Sequence, residues 1–542
     1  MKKIFTSLTA LTFTILFFSA CVHKESNKAD LTKPVAVKGT KFIDGSGRQI
    51  LFNGINLVNK NPSENYIYKD SEEIFKKFKQ YGYNVVRLGI IWDGLEPEPG
   101  VFNEDYLKEI DKQIKYAEEN GLYVFLDMHQ DLYSVKYSDG APEWATLDEN
   151  KPHVTGEIWS DAYLISPAVQ TAWDNFWNNA AVSDSMGVQD HYAAAWQHVA
   201  KRYAGNNTVI GYDMMNEPFV GSEAKNYMPI IFNAFSQLIK EETGKTMPLE
   251  EVASMWSSAD TRYQALLMVS SKERFRKVID ALYVINSAFE KEKLQPFYQK
   301  VADSIRVIDK EKILFFNHSY FCNSGVRTAL EPVKDADGNP DPQVAYAAHG
   351  YDLLVDTKNL SNSSNDRLEL IFERINESGN RMNVPVLIGE WGALGADEPE
   401  MSELAYKNLH LIEKFKFNNT YWAYYKDVEK RSWFKPLVRP YPAYIAGELL
   451  SYSYDEVSGS FTCEWNETDT QTMSTQIFVP DMNKINIEKL IIFPQGNGVV
   501  LEPLNEGKGG YISISPTGKN CKRKISYSID NDEQKTISLK SN

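Results

Sequence analysis

Eight short apolar runs, separated by stretches of helical spacing, constrain this chain more than any other feature. The runs fall at 50–58, 84–90, 123–129, 209–215, 312–317, 344–349, 385–390 and 420–425. Each is continuously apolar instead of alternating, the pattern of parallel strands covered on both faces. Segments between them, such as 70–81, 104–120 and 190–203, carry apolar residues at helical spacing. Eight strands alternating with helices predict an α/β fold, the (β/α)8 TIM barrel. A doubly wound sheet is the alternative, but no glycine-rich phosphate loop follows the first run. Several runs end in polar or ionisable residues: Arg87, His129, Asn216-Glu217, His349 and Glu390. In such a barrel the C-terminal strand ends form the active-site face, so these residues are expected to converge.

After Gly447 short strand-like runs alternate with turn residues, which predicts an all-β sandwich over 448–542. The barrel is assigned to 39–447. Its connection at about 220–310 is long and of helical spacing. A helical insertion on the active-site side is expected there. At the N-terminus, Lys2 and Lys3 precede an apolar run that ends in Ser19-Ala20-Cys21. This is a signal-peptide pattern over 1–21, too short and too interrupted for a spanning helix. The Cys after Ser-Ala resembles the lipobox of bacterial lipoproteins. That resemblance implies lipidation of Cys21, export and anchoring, with the outer membrane as the expected site. An ordinary secretory signal with an incidental Cys is the alternative, and it too exports the chain. The polar stretch 22–38 reads as a tether.

The formal net charge of −15 lacks the basic footprint that nucleic acid requires. Aromatic residues make up 13%, including 11 Trp and 30 Tyr. Ring faces pack well on pyranose C–H faces, although a ring-rich core would use the same residues. The four cysteines form no CxxC pair for zinc or redox chemistry. Cys463 and Cys521 could pair, and the sequence leaves that open. His129 and His349 fall in separate motifs without dedicated ligand spacing, so no metal and no cofactor are expected. No obligate protein partner is evident.

Two carboxylates carry the chemistry. Glu217 lies in Met214-Met215-Asn216-Glu217-Pro218 and Glu390 in Leu387-Ile388-Gly389-Glu390-Trp391. Each ends an apolar run, where an unpaired charge is costly to bury. Glycosidic cleavage needs one protonated carboxyl for the leaving oxygen and one ionised carboxylate to attack the anomeric carbon. The charge on Glu390 is expected to raise the pKa of Glu217 and keep it protonated.

With these motifs the sequence resembles glycoside hydrolase family 5, a family of retaining barrel hydrolases. The resemblance implies that Glu217 is the acid/base and Glu390 the nucleophile. It implies that Asn216 bonds the sugar 2-hydroxyl and that Arg87 keeps the nucleophile ionised. His129 matches the family's third-strand His, His349-Gly350-Tyr351 its sixth-strand pattern with Tyr351 donating to Glu390, and Trp422 its sugar platform.

Asp127-Met128-His129-Gln130-Asp131, Asp174-Asn175-Phe176-Trp177, the 189–196 segment and Arg439-Pro440-Tyr441-Pro442 look like endoglycoceramidases. That narrower resemblance implies release of the whole glycan from glycosphingolipids. Asp127 and Asp131 would bind sugar hydroxyls, Trp177 would stack on sugar, and Lys60 would touch the glycan. The long insertion departs from the pattern and could crowd the outer sugar subsites, favouring glucosylceramide. Its Phe232, Phe235, Met255, Trp256, Leu266, Leu267 and Met268 are expected to border the lipid side. A lipid β-glucosidase, a polysaccharide hydrolase of the same family and a non-catalytic glycan-binding lipoprotein are the competing readings.

Overall fold

A computed structural model describes residues 31–395, 397–486, 489–494 and 498–528. Cys21, the signal segment and the tether up to residue 30 lie outside the described residues.

Eight parallel strands close into a barrel. They are β1 (Asn53–Leu57), β2 (Val85–Ile91), β3 (Tyr123–His129), β4 (Val209–Asp213), β5 (Ile313–Phe316), β6 (Val344–Gly350), β7 (Val386–Trp391) and β8 (Asn418–Tyr421). The order runs round the barrel, and β8 meets β1 with Thr420 opposite Gly54. Gly54 is required there, because a Cβ would lie 2.0 Å from the Val85 carbonyl oxygen of β2. Nearly every strand residue is buried, which is why the runs are apolar throughout. The surrounding helices start on side-chain caps. Asn103 accepts from Tyr106 N–H before Glu104–Glu119, and Ser364 accepts from Arg367 N–H before Asn365–Met382.

Two antiparallel sheets stand below the barrel. One holds Gly447–Asp455, Ser460–Glu467, Cys521–Ser528 and Ile491–Phe493. The other has seven strands and corrects the expected domain borders. Ala36–Lys38, Lys41–Ile43 and Gln49–Ile50 belong to it, alongside Tyr441–Ile445, Thr475–Val479, Gly510–Ile514 and Val499–Pro503. The last tether residues and both ends of the assigned barrel therefore lie in the second unit. The first apolar run divides accordingly. Ile50 pairs with Tyr444 in the sheet, whereas β1 begins at Asn53. One apolar core joins both sheets to the barrel floor, with Phe42, Phe52, Phe125 and Phe315 meeting Trp465, Phe478 and Tyr511. Cys463 and Cys521 are free thiols.

The connection after β4 is helical, from Ala224–Thr243 through Leu249–Met255, Ala259–Met268, Lys272–Ile279 and Tyr283–Phe289. Gln295–Arg306, expected within the insertion, packs on Val188–Tyr203 as part of the barrel's outer layer. No helix among the described residues is long and apolar enough to cross a membrane.

Candidate active site

The site is built at the C-terminal strand ends. Asn216 and Glu217 follow β4, and Glu217 has left-handed backbone with φ of 42°. Side chains from the neighbouring elements hold this turn. Tyr192 and Trp196 each donate to the Met214 carbonyl at 2.9 Å. Gln130 Nε2 donates to the carbonyls of Asn216 and Glu217 at 2.8 and 3.2 Å. Such strain persists only where surroundings over-determine it, and it gathers at functional sites.

Arg87 organises the floor of the site. Its Nη1 donates to Glu390 Oε1 at 2.7 Å and to Asn56 Oδ1 at 3.1 Å. Its Nη2 meets Asp127 Oδ1 at 2.8 Å and Asn216 Oδ1 at 2.9 Å, and its Nε donates to Asp213 Oδ2 at 2.8 Å. Tyr351 donates to Glu390 Oε2 at 3.1 Å. His349 Nδ1 lies between the two carboxylates, 2.7 Å from Glu217 Oε1 and 3.5 Å from Glu390 Oε2. One oxygen from each glutamate and this nitrogen all lie within 4.8 Å of one another. That is the close spacing of a double-displacement pair, not the wider gap that admits a water between the carboxyls.

Burial raises both glutamates, and their neighbours distinguish them. Burial pushes Glu217 up to about 8, and the Asp131 charge adds to the rise. This corrects the expectation that Glu390 would be the source. Burial also raises Glu390, and the Glu217 charge adds to the rise, while the Arg87 guanidinium at 2.7 Å opposes it and favours the ionised form. Burial drives His349 down to about 3, so it is a neutral imidazole.

A second network lies beside the pair. Lys60 is bonded to Asp131, and its Nζ is 3.6 Å from Asp139. Burial opposes the Lys60 charge, yet these carboxylates hold its pKa above the ordinary lysine value. His129 is likewise opposed by burial but raised to about 10, chiefly by Asp127, which accepts from its Nδ1 at 2.8 Å. Trp422 covers His129, with the rings 5.0 Å apart and nearly parallel. His129, Asp131 and Asp139 have donor atoms close enough for a metal, as do Glu217, His349 and Glu390. In the first group the Lys60 ammonium already balances the carboxylates.

A cavity of about 540 Å³ opens over the pair. Lys60, Asp131, Glu217, Tyr351, Glu390 and Trp422 line its polar end. The insertion lines the other end with Phe232, Phe235, Trp256, Leu266, Phe275 and Leu282. Of the residues expected there, Met255, Leu267 and Met268 are absent from the lining, and Leu267 is 45% exposed outside it.

Other expected contacts need correction. Trp177 does not reach the cavity. Its ring stacks on Trp173 at 5.4 Å and meets Phe289 and Phe297 edge-on. Its Nε1 donates to the Phe219 carbonyl at 2.8 Å. Phe289, at the end of the insertion, and Phe297, on the outer-layer helix Gln295–Arg306, cover the indole. Asp127 is wholly buried behind Arg87 and His129, and binds them instead of lining the cavity. Arg87, His129, Asn216 and His349 also stand behind the cavity wall, each holding a group in front of it.

Residues 43–427 match the family model Cellulase (glycosyl hydrolase family 5), and 439–498 match the glycoside hydrolase family 5 C-terminal domain. The chain belongs to glycosyl hydrolase family 5. It is 32% identical over 243 residues to Endoglycoceramidase of Cyanea nozakii, covering 39% of this chain and 47% of that one. The match to Endoglycoceramidase of Hydra vulgaris likewise covers 46% of that protein, so the chain spans about half the length of these relatives. Endoglycoceramidase I of Rhodococcus hoagii is 25% identical over 501 residues, covering 88% of this chain and 83% of the relative. The solved structure of Endo-glycoceramidase II from Rhodococcus sp. superposes with a TM-score of 0.67 at 22% identity, covering 89% and 98%.

Several working residues of this family 5 chain escaped sequence reasoning. Asn323 Nδ2 donates to Glu217 Oε1 at 2.8 Å. It lies in the short 3-10 helix Tyr320–Ser324 after β5, too short to show a periodic signal. Asp213 was within reach, because it is a charge closing the apolar strand β4.

Proposed function

We propose that this chain hydrolyses the β-glycosidic bond between glycan and ceramide in glycosphingolipids, with retention, releasing the glycan and ceramide. One observation carries the reading: the paired glutamates line a single cavity together with polar groups such as Lys60 and Asp131 and with apolar side chains of the insertion, so one site offers surfaces for both sugar and lipid. Glu390 attacks the anomeric carbon, while protonated Glu217 gives its proton to the departing ceramide oxygen. A covalent glycosyl-enzyme forms. Glu217, now ionised, takes a proton from water, which attacks the same carbon and frees Glu390. Relatives named endoglycoceramidase support the lipid substrate. The burial of Trp177 beneath Phe289 and Phe297 favours a short glycan, glucosylceramide being the smallest.

The protein is exported and held at the outer membrane by a lipid chain on Cys21, close to lipid-borne substrate. Mass spectrometry of products from ganglioside, lactosylceramide, glucosylceramide, cellulose and mannan tests the activity. Free ceramide from a glycolipid is the expected result. Cleavage of the polysaccharides alone would move the chain to a different substrate class. Cys21→Ser should release active protein from the membrane fraction, and a lipid-free wild-type N-terminus would remove the anchor.

A further inference from the structure

Glu217 is served by a relay that runs from Tyr346 on β6 through His318 to Asn323 in the short 3-10 helix Tyr320–Ser324 after β5. Tyr346 hydroxyl lies 2.5 Å from His318 Nδ1, and His318 Nε2 lies 2.9 Å from Asn323 Oδ1. All three residues are buried. With the phenol as donor to the Nδ1 lone pair the ring proton sits on Nε2, and the His349 backbone carbonyl also bonds the His318 ring. That proton goes to Asn323 Oδ1. The amide is thereby turned so that its NH2 faces Glu217, whose Oε1 it reaches at 2.8 Å. His349 Nδ1 reaches the same oxygen at 2.7 Å. Glu217 Oε2 accepts no hydrogen bond among the described residues and belongs to a cavity-lining side chain.

We propose that Asn323, oriented by His318 and Tyr346, is a positioning residue that dedicates Glu217 Oε1 to protein donors and so places the transferable proton on Oε2. Burial drives His318 down to about 3, so the relay keeps one protonation state through the working range. The inference rests on the hydrolytic reading of the glutamate pair.

The other groups that face Glu217 stay in place during the test. They are Glu390, His349 and Tyr351, Arg87, His129, Asp131 and Lys60, and the phenols of Tyr163 and Tyr320. Asn323→Ala and His318→Phe are compared on a lipid glycoside and on a dinitrophenyl glycoside of the same sugar. The activated leaving group needs little protonation. Both variants should lose on the order of a hundredfold in kcat/KM on the lipid glycoside and less than about threefold on the dinitrophenyl glycoside. The alkaline limb of the pH profile should rise, because a donor to the carboxylate is gone. Thermal unfolding confirms a folded variant. Equal losses on both substrates, or an unmoved alkaline limb, would overturn the proposal. Glu390→Gln in the same dinitrophenyl assay keeps the two readings apart, since wild-type turnover by that variant would overturn the glutamate pair itself.

Discussion

Arg87 and Glu390 meet at 2.7 Å with both side chains buried. The contact is not a simple ion pair, because the same guanidinium also serves Asp127 and Asp213. Three carboxylates thus meet one guanidinium, and Asp127 also meets the His129 imidazolium. The arrangement leaves Glu390 partly compensated, so it can stay ionised while its charge remains available for attack. Burial pushes Asp213 up to about 7, which lets a proton offset part of the excess negative charge.

Replacing Arg87 with Met should therefore cost about 3–5 kcal/mol, since it strands buried carboxylates without a partner. Denaturant unfolding at neutral pH measures this. The loss should shrink at low pH, where those carboxylates take up protons.

Glu390→Gln should abolish turnover on every glycoside while leaving the fold intact. Glu217→Gln should be far more damaging for a lipid glycoside than for an activated aryl glycoside. In the wild type, kcat/KM should fall above about pH 8 as Glu217 loses its acid proton. The sign for stability follows from the same shift. The folded-state pKa is raised, so burial of Glu217 is tolerated at low pH and its stability contribution is lost as pH rises through about 8. The melting temperature of Glu217→Gln relative to wild type should climb between pH 5 and pH 8.

Phe232→Ala combined with Trp256→Ala should raise KM for ceramide glycosides about tenfold or more, since each ring removes apolar wall from the chamber. A nitrophenyl glycoside of the same sugar should change little. Parallel losses on both would show that the insertion only supports the barrel.

Trp177→Ala should destabilise the protein by about 3–5 kcal/mol, the usual cost of emptying a buried aromatic site. A sugar platform would behave differently, raising KM for longer glycans with unchanged unfolding. Paired denaturation and kinetic measurements separate the two.

The barrel was legible because its strands are covered on both faces, so apolar runs and polar strand ends sufficed to order them. Glu217 and Glu390 were legible for the same reason. What the sequence concealed is contact made by chain crossing. Trp177 and Asp127 sit in motifs that resemble sugar-binding segments. Their surroundings are set by Phe289, Phe297 and Arg87, which come from distant parts of the chain. Asn323 was hidden because a five-residue 3-10 helix is too short to carry a periodicity. The Ile50–Tyr444 pairing was hidden because a short edge segment reads as the continuation of the strand that follows it.

That last pairing also sets an order of assembly. The Gln49 side chain receives the Leu449 N–H across 400 residues of sequence, and the first strands wait for partners made last. During synthesis, the segment 36–50 is made long before Tyr441–Ile445, the strand that pairs with its last residues. The two ends of the chain therefore act as a clasp. Removing the C-terminal sheets would bare Phe42 and Phe52 beneath the barrel as well as deleting a domain. The catalytic unit is closed from below in part by residues that follow every catalytic residue in the chain.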